Sequence, residues 1–483
     1  MMHSRTIKPS AFSRSPALML VFNVIGLTGC CGLFFIVPSG HSGVVTAFSS
    51  VFFASAIIQA WTNPQVFLHK TRFNGEFLFL VFSYLVFLHP YLNALITEFT
   101  IQEQSRFTQN YWEYSNRAII LSTVGILSFS CGARIAQILP FKKKVHVARG
   151  EINPLFVWML IGFWASSVLL FFAFGGSSFF SPIYDRQAQG DSSAYSFFVL
   201  ATMASAISGP LFLYSYFIRK KLSIPLVIIG LQCMIWFLAT AIIGDRGSSF
   251  TIAIAVAAVL FAYKFSFKIP LAIALTVAAI FISGAIQTIR MTGDRSVGAF
   301  VEALVDPQKR RGVEESSVST ATAVTRAALH EVPNNYPHFG GRLTVTAALS
   351  PIPFARGAFK DPDNRFSRSS DLFTYSFVGT LRRYGTGTSI VADTYVDLGL
   401  LHVILMLTFA GFVIRRLSDA AALYKDSYQL LVLFAVGSAF FAVLPRYGMA
   451  WPVREIVWTA ILLYSADWLV RVPLFKKIFQ SRF

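Results

Sequence analysis

The first apolar run begins at Ala17 and reaches Val37 without a charged side chain: ALMLVFNVIGLTGCCGLFFIV. These 21 residues match the length of about 20 that crosses the ~30 Å hydrocarbon core of a bilayer. The run is longer than the apolar core of a cleavable signal peptide, and it ends at Pro38 instead of at a small-residue cleavage site. It therefore predicts a transmembrane helix that the mature chain retains.

Runs of similar length recur along the whole sequence of 483 residues, of which 55% are hydrophobic and only 13% are charged. Soluble domains contain roughly 25% charged residues, so the composition excludes an ordinary soluble protein. The pattern predicts an all-α, polytopic integral membrane protein with about 12 transmembrane helices. The predicted spans cover residues 17–37, 43–61, 76–97, 118–140, 155–175, 194–218, 224–243, 248–263, 269–289, 396–413, 427–445 and 451–470.

The net charge of +18 does not predict a nucleic-acid partner, because Lys and Arg lie in short clusters between the spans. Basic loops resist translocation and stay in the cytoplasm. With the amino terminus placed inside, the inner segments hold 21 basic and four acidic residues, whereas the short outer loops hold six basic and seven acidic ones. Both termini are therefore predicted to be cytoplasmic.

The long connection after the ninth span divides the sequence into three regions. Residues 1–289 form a membrane domain with nine spans, 290–395 form a large outer loop, and 396–483 hold the last three spans and a cytoplasmic tail. A loop of this length is usually functional or disordered. Apolar periodicity at 317–329 and 343–349 favours order, and predicts short helices that lie on the outer membrane face and cap a cavity.

The basic residues on the predicted outer side are mostly arginine. That side has 17 Arg but only two Lys, Lys309 and Lys360, whereas the inner segments have 12 Lys and nine Arg. A guanidinium group grips phosphate or carboxylate with two parallel hydrogen bonds and stays charged in a partly dry cleft. The bias predicts an anionic ligand outside the membrane. Ion pairing with acids of the loop itself is the alternative.

Five arginines lie where predicted spans leave the outer side of the bilayer: Arg186, Arg246, Arg290, Arg446 and Arg454. A ring of guanidinium groups at the headgroup level would suit the diphosphate of a polyprenyl-linked substrate, although a single arginine there could also snorkel to lipid phosphates. Arg246 lies in Gly-Asp-Arg-Gly-Ser-Ser. Its glycines permit close backbone approach, and the following helix would offer its amino-terminal dipole to an anion.

Candidate acid–base groups lie in and after the long loop. Glu331 follows a histidine, and Asp393 and Asp397 are four residues apart, which places both on one face of the predicted tenth helix. Asp397 would need a polar cavity or an arginine partner inside the membrane, and Asp393 could instead cap the helix. His330 and His338 could act as bases near neutral pH.

The sequence predicts neither a metal site nor a cofactor. The four cysteines lie in apolar segments, at Cys30, Cys31, Cys131 and Cys233, which favours buried, inert thiols. No His-x-x-x-His pair and no phosphate-binding Gly-x-x-x-x-Gly-Lys loop is present.

Four segments together resemble the Wzy-type O-antigen polymerase family. They are residues 244–249, residues 333–354 with Tyr336 and Arg342, residues 385–399, and residues 445–454. The order of these segments and the single long outer loop also match the family. The resemblance implies a bacterial inner-membrane glycosyltransferase that moves a growing glycan from undecaprenyl diphosphate to a hydroxyl group of an incoming lipid-linked repeat unit.

The resemblance also implies roles for individual residues. Arginines in outer loops of such proteins are taken to hold anionic glycan or diphosphate, often with an Arg-x10-Gly spacing that Arg368 and Gly379 satisfy here. Relatives have Glu where this chain has Asp393, which we assign as the base, with Glu331 and His338 as alternatives. The predicted substrate and diphosphate ligands are Arg186, Arg246, Arg290, Arg342, Arg446, Arg454, Asp397 and Tyr336.

The partners implied are the lipid-linked oligosaccharide, membrane lipids, and flippase and chain-length regulator proteins. Two other functions stay open from the sequence. A flippase or transporter for the same glycan would place ionisable residues near the midplane of several helices, whereas most spans here have uncharged middles. A ligase that moves finished polymer to another acceptor would use the same donor and hence the same arginines.

Overall fold

The computed structural model describes residues 15–67, 70–96, 111–139, 152, 154–176, 192–220, 222–292, 296–306, 317–352, 366–379 and 386–471. These ranges are helical apart from turns and one short antiparallel pair, in which β1 (Gln65–Val66) meets β2 (Lys70–Thr71). The helices are α1 (Ser15–Ile36), α2 (Gly43–Thr62), α3 (Gly75–Phe87), α4 (His89–Ile96), α5 (Ser115–Ile138), α6 (Pro154–Ala173), α7 (Ser192–Tyr214), α8 (Ile224–Ile243), α9 (Arg246–Tyr263), α10 (Ile269–Thr292), α11 (Val297–Val305), α12 (Ser317–Glu331), α13 (Arg342–Leu349), α14 (Ser369–Val378), α15 (Ile390–Leu398), α16 (Leu400–Leu423), α17 (Tyr428–Val443) and α18 (Ala450–Arg471).

The helices confirm a multi-pass, all-helical membrane fold. Nine helices within the described ranges are long and apolar enough to cross a membrane, and the bent pair α3–α4 would make ten. Two further predicted spans, 269–289 and 451–470, coincide with α10 and α18, which do not belong to that set. The total of about 12 spans and the orientation of the termini stay predictions.

Helices α5 and α17 form the centre of the molecule, because nearly every residue of each is buried. Helix α5 packs most closely against α16, where Gly132 and Gly411 leave no room for a side chain against the facing backbone. Small residues allow this close approach between membrane helices, which associate through packing contacts instead of through hydrophobic burial.

The third predicted span is broken into α3 and α4, which meet at an angle of 41°. Pro90 lacks the N–H that would bond to the carbonyl of Val86. The hydroxyl group of Thr322 on α12 donates to that carbonyl at 2.8 Å. A proline break inside a membrane is tolerated where neighbouring groups satisfy the freed backbone, and α12 does this here.

Helix α12, which belongs to the predicted long loop, is buried among other helices, and its predicted position on the outer membrane face stays a prediction. Its residues 320–329 are all buried, and it packs against α3, α5, α14 and α15. Arg326 is fully buried in this helix, and its guanidinium group lies over the rings of Trp112 and Tyr91, at 5.0 and 5.9 Å. This part of the loop belongs to the core of the protein.

The predicted tenth span is also two helices. Gly399 separates α15 from α16 with φ 80° and ψ −162°, a conformation that is essentially restricted to glycine. Asp393 and Asp397 therefore lie on the short helix α15, and the long helix α16 starts only at Leu400. Helix α15 lies beside the loop helices α12, α13 and α14.

A charged network crosses the core between α3, α5 and α16. The carboxylate of Glu76 is buried and forms ion pairs with Arg134 and Arg415. Arg415 also bonds to Asp419 at 3.1 Å and to the carbonyl of Asn63 at 2.9 Å. Two acids thus balance two guanidinium groups, which is the arrangement that buried ions require.

Glu76→Gln should destabilise the protein strongly, because Arg134 and Arg415 would then share one carboxylate fewer in a buried site. Loss of one partner of a buried ion pair costs about 3–5 kcal/mol. Thermal unfolding of the purified protein in detergent measures the effect. Glu113→Gln is the control, since the Glu113 side chain is exposed. Equal unfolding temperatures for the two variants would contradict this role of Glu76.

Candidate functional site

The candidate site is built around α15, which begins after Ser389. The Ser389 side chain caps the helix by accepting from the N–H of Ala392 at 3.1 Å, so Asp393 is not the cap. The carboxylate of Asp393 accepts from the Ser369 hydroxyl group at 2.5 Å and from the backbone N–H of Met449 at 3.0 Å. It therefore joins α15 to α14 and to the turn before α18.

The environment of Asp393 favours a proton-accepting role. Burial raises the pKa of its carboxyl group above the ordinary value, the hydrogen bonds from Ser369 and Met449 offset part of that rise, and the charge of Asp397 adds to it. A general base works best when its pKa lies close to the working pH. Two of the carboxylate's roughly four acceptor positions are occupied by protein donors, which leaves positions for a substrate hydroxyl group.

Arg446 ends the 3-10 turn Leu444–Arg446, which follows α17. Its Nη1 and Nη2 donate to the carbonyl groups of Thr388 and Thr386, at 3.2 and 3.4 Å. The side-chain oxygen of Thr388 lies 3.2 Å from that of Ser369, which donates its one hydroxyl hydrogen to Asp393. Arg446 and Asp393 are thereby parts of one polar network.

The guanidinium group of Arg446 has an N–H donor that no described residue uses. Its Nε is buried and has no hydrogen-bond partner among the residues that the structure describes. Over the same residues, no carboxylate lies within ion-pair distance of Arg446. A half-buried cation that is held by two neutral carbonyl groups retains its positive charge for a ligand.

Arg246 meets the same turn at the start of α9. The hydroxyl oxygen of Tyr447, which follows Arg446, lies 2.8 Å from where a Cβ on Gly247, which follows Arg246, would stand. The amino terminus of α9 is already occupied, since the Asp245 carboxylate accepts from the Gly247 N–H at 3.1 Å and from the Ser248 hydroxyl group at 2.8 Å. The prediction that this segment binds an anion therefore rests on the Arg246 side chain and not on the helix dipole.

The other predicted arginines are arranged differently. Arg454 bonds to its neighbour Glu455 through Nε and Nη2, at 2.8 and 2.6 Å. Arg342 begins α13, and its Nε donates to the carbonyl of Phe339 at 3.1 Å. Arg290 lies on α10 with a side chain outside the described set, and Arg186 lies wholly outside the described residues. The structure thus brings together Arg246 and Arg446 of the predicted five.

Asp397 has a structural role that the sequence did not reveal. Its carboxylate accepts from the backbone N–H groups of Leu343 and Thr344, at 3.1 and 3.0 Å, and from the Thr344 hydroxyl group at 2.7 Å. Burial acts to raise the pKa of Asp397, but hydrogen bonds from His402 and from the start of α13 outweigh burial and hold the pKa below its ordinary value. Asp397 is an ionised cap of α13, not a partner of an arginine.

The alternative bases also differ in their surroundings. Glu331 is buried and accepts from the Tyr111 hydroxyl group at 3.0 Å and from the Asn335 amide at 2.9 Å, so it joins the end of α12 to its neighbours. His338 is half-buried, with its ring 5.9 Å from that of Tyr395. Neither one contacts Asp393 in the hydrogen bonds of the described residues.

Two further sequence features have local explanations. Tyr336 packs edge-on against Phe366, with ring centres 5.2 Å apart. Arg368 and Gly379 are the residues that flank α14 at its two ends. Their Arg-x10-Gly spacing is therefore the length of one short helix.

The comparison with known families decides which proteins this chain is related to. The family model of the O-antigen polysaccharide polymerase Wzy matches residues 30–477. The chain belongs to the Wzy family. Neither the curated proteins nor the solved structures contain a match. Membership confirms the resemblance drawn from the sequence, and it makes this chain a membrane polymerase that joins oligosaccharide repeat units into a polysaccharide.

Several residues of the site were not predicted for this Wzy-family chain. Ser369 and the carbonyl groups of Thr386 and Thr388 hold Asp393 and Arg446, and Tyr447 contacts the start of α9. Tyr447 directly follows Arg446 in one of the four segments that resemble the family. Its position next to a predicted ligand could therefore have identified it as a site residue. Nothing in the local sequence marks Ser369, which approaches Asp393 only in the folded chain.

Gly387→Ala should displace Arg446 and lower polymer formation by about tenfold, since small misplacements of catalytic groups carry such costs. A Cβ at Gly387 would lie 2.5 Å from Nη1 of Arg446. Gly175→Ala is the matched control: Gly175 has φ +87°, against +85° for Gly387, but open space around its Cβ position. The length distribution of surface glycan measures both variants. An equal loss in both would assign the effect to backbone strain and contradict this contact.

Proposed function

We propose that this Wzy-family polymerase transfers a growing glycan from undecaprenyl diphosphate to a hydroxyl group of a second lipid-linked repeat unit, on the periplasmic face of the bacterial inner membrane. The acceptor oxygen forms a bond to the anomeric carbon of the donor sugar. The bond between that carbon and the diphosphate oxygen breaks, and the proton of the hydroxyl group goes to a base on the protein. Undecaprenyl diphosphate leaves with the electron pair of the broken bond.

Arg246 and Arg446 hold the leaving diphosphate in this proposal. The observation that carries the proposal is that the start of α9, which holds Arg246, adjoins the turn that holds Arg446. Arg446 is held there by carbonyl groups and, among the described residues, has no carboxylate partner. Two adjacent cations repel each other, and a diphosphate between them removes the repulsion. Their charge also matches the negative charge that grows on the bridging oxygen in the transition state.

Asp393 is the base in this proposal. Its pKa is raised by burial, and Ser369 and Met449 fix the carboxylate in one orientation. Asp397, four residues on, has a lowered pKa and caps α13. Two carboxyl groups whose pKa values are moved in opposite directions commonly have different roles, and here the first accepts a proton while the second positions the loop that carries Arg342.

Deletion of the gene, followed by electrophoresis of the surface glycan, tests the proposed function. Surface glycan limited to one repeat unit, restored to long polymer by the wild-type gene, is the expected result. Loss of surface glycan with repeat units accumulating in the cytoplasm would point to a flippase, and long polymer that stays unattached would point to a ligase. Either of these two results would contradict the proposal.

A further inference from the structure

A second cluster of polar side chains lies on the other side of α15. Tyr395 is two residues from Asp393, and two residues correspond to about 200° around a helix, so the two side chains point in nearly opposite directions. The Tyr395 ring lies 5.9 Å from the ring of His338 and 6.2 Å from that of Phe34. Arg117, in the first turn of α5, lies over the ring of Phe34 at 5.8 Å.

The polar atoms of this cluster have no protein partners in the described ranges. Arg117, His338 and Tyr395 make no side-chain hydrogen bond and no ion pair there, and Nδ1 of His338 is nonetheless buried. Buried polar atoms are paired in the great majority of cases. The buried Nδ1 of His338 lacks a partner, and the unpaired donors of Arg117 and Tyr395 lie beside it. The cluster therefore indicates a ligand that accepts hydrogen bonds, and the charge of Arg117 favours an anion.

The surroundings of the cluster are those of a lipid headgroup. Phe34 is buried beneath Arg117 and Tyr395, whereas the next two residues of α1, Phe35 and Ile36, are 67% and 76% exposed. Apolar side chains that are so exposed at the end of a membrane-spanning helix face lipid chains. An acyl or prenyl chain along α1 would place its phosphate beside the three donors.

We propose that Arg117, His338 and Tyr395 bind the diphosphate of the second lipid-linked substrate, the one that donates its hydroxyl group. This rests on the proposed function, because a polymerase of lipid-linked units holds two such lipids at once. The donor diphosphate lies on the Asp393 face of α15 with Arg246 and Arg446, and the acceptor diphosphate lies on the Tyr395 face. Helix α15 then separates the two prenyl chains while both glycans extend above it.

Native mass spectrometry of the full-length protein with undecaprenyl diphosphate tests the second site. The wild type should bind two molecules, and Arg117→Gln and Arg446→Gln should each bind one, with affinity at the lost site at least tenfold weaker. Tyr395→Phe, which removes one hydroxyl group from a packed ring, is the milder variant if Arg117→Gln does not fold, and it should weaken the same site. Two molecules bound to folded Arg117→Gln would overturn the proposal.

Competing ligands identify the source of the phosphate. Phosphatidylglycerol in tenfold excess should leave both molecules of undecaprenyl diphosphate in place, and inorganic diphosphate should bind the cluster far more weakly than the lipid. Displacement by phosphatidylglycerol would overturn the substrate assignment, and equal binding of inorganic diphosphate would overturn the role of α1. A wild type that binds no undecaprenyl diphosphate would refute the proposed function itself, which is distinct from failure of the second site alone.

Discussion

Lysine in place of Arg446 should lower the rate of polymer formation by about 10²–10³-fold, the usual loss when one donor to a developing negative charge is removed. Lysine keeps the charge but loses the planar fork that donates to Thr386 and Thr388 while presenting Nε to the site. Arg246→Lys should have the same effect, because both guanidinium groups face one diphosphate.

Polymer formed by the purified protein from lipid-linked repeat units measures this loss. Arg454→Lys is the matched control, since it lies at the start of the neighbouring helix and its guanidinium group is already bonded to Glu455. A lysine there can keep the ion pair and most of the activity. Full activity in Arg446→Lys, or an equal loss in Arg454→Lys, would remove Arg446 from its proposed role.

Asparagine in place of Asp393 should reduce the rate by about 10²–10⁴-fold, the range expected for a general base. The amide oxygen can still accept from the N–H of Met449, so the fold should persist. Folding raises the pKa of Asp393 above the ordinary 3.8, so its ionised form costs stability at any pH above that raised value. Asp393→Asn should therefore unfold at the same temperature as the wild type or higher, while losing activity.

The pH profile gives a separate test of Asp393. A base must be ionised, so the wild-type rate should fall as the pH falls through the raised pKa of Asp393. The residual rate of Asp393→Asn should lack this fall. Asp371→Asn, an aspartate in the first turn of α14, is the control and should keep the wild-type profile. An unchanged acidic limb in Asp393→Asn would assign the base to another residue.

Much of the membrane fold could be predicted from the sequence because lipid imposes a length and a composition on each span. Each of the predicted spans overlaps an observed helix, from α1 at one end of the described chain to α18 at the other. Hydropathy does not report what surrounds a segment, however. Helix α12 contains Ser and Thr and resembles a surface helix, yet it is buried, and its Thr322 and Thr325 hydroxyl groups are satisfied there by backbone carbonyl groups.

The candidate site was predicted in part, for a similar reason. The types of residue indicated an anion site and a base, and the structure joins Arg446 to Asp393 through Thr388 and Ser369. Whether an arginine can bind a ligand depends on whether its neighbours already pair with it. Arg454 is already paired with Glu455. Similarly, Asp397 was predicted to bind substrate, whereas in the structure the start of α13 donates to it.

The most direct test of the account is a structure of the protein with undecaprenyl diphosphate bound. Phosphate oxygens should lie within hydrogen-bond distance, about 2.7–3.2 Å, of both Arg246 and Arg446, with the first sugar position facing Asp393. A diphosphate bound elsewhere, with both of these guanidinium groups directed at solvent, would contradict the central claim.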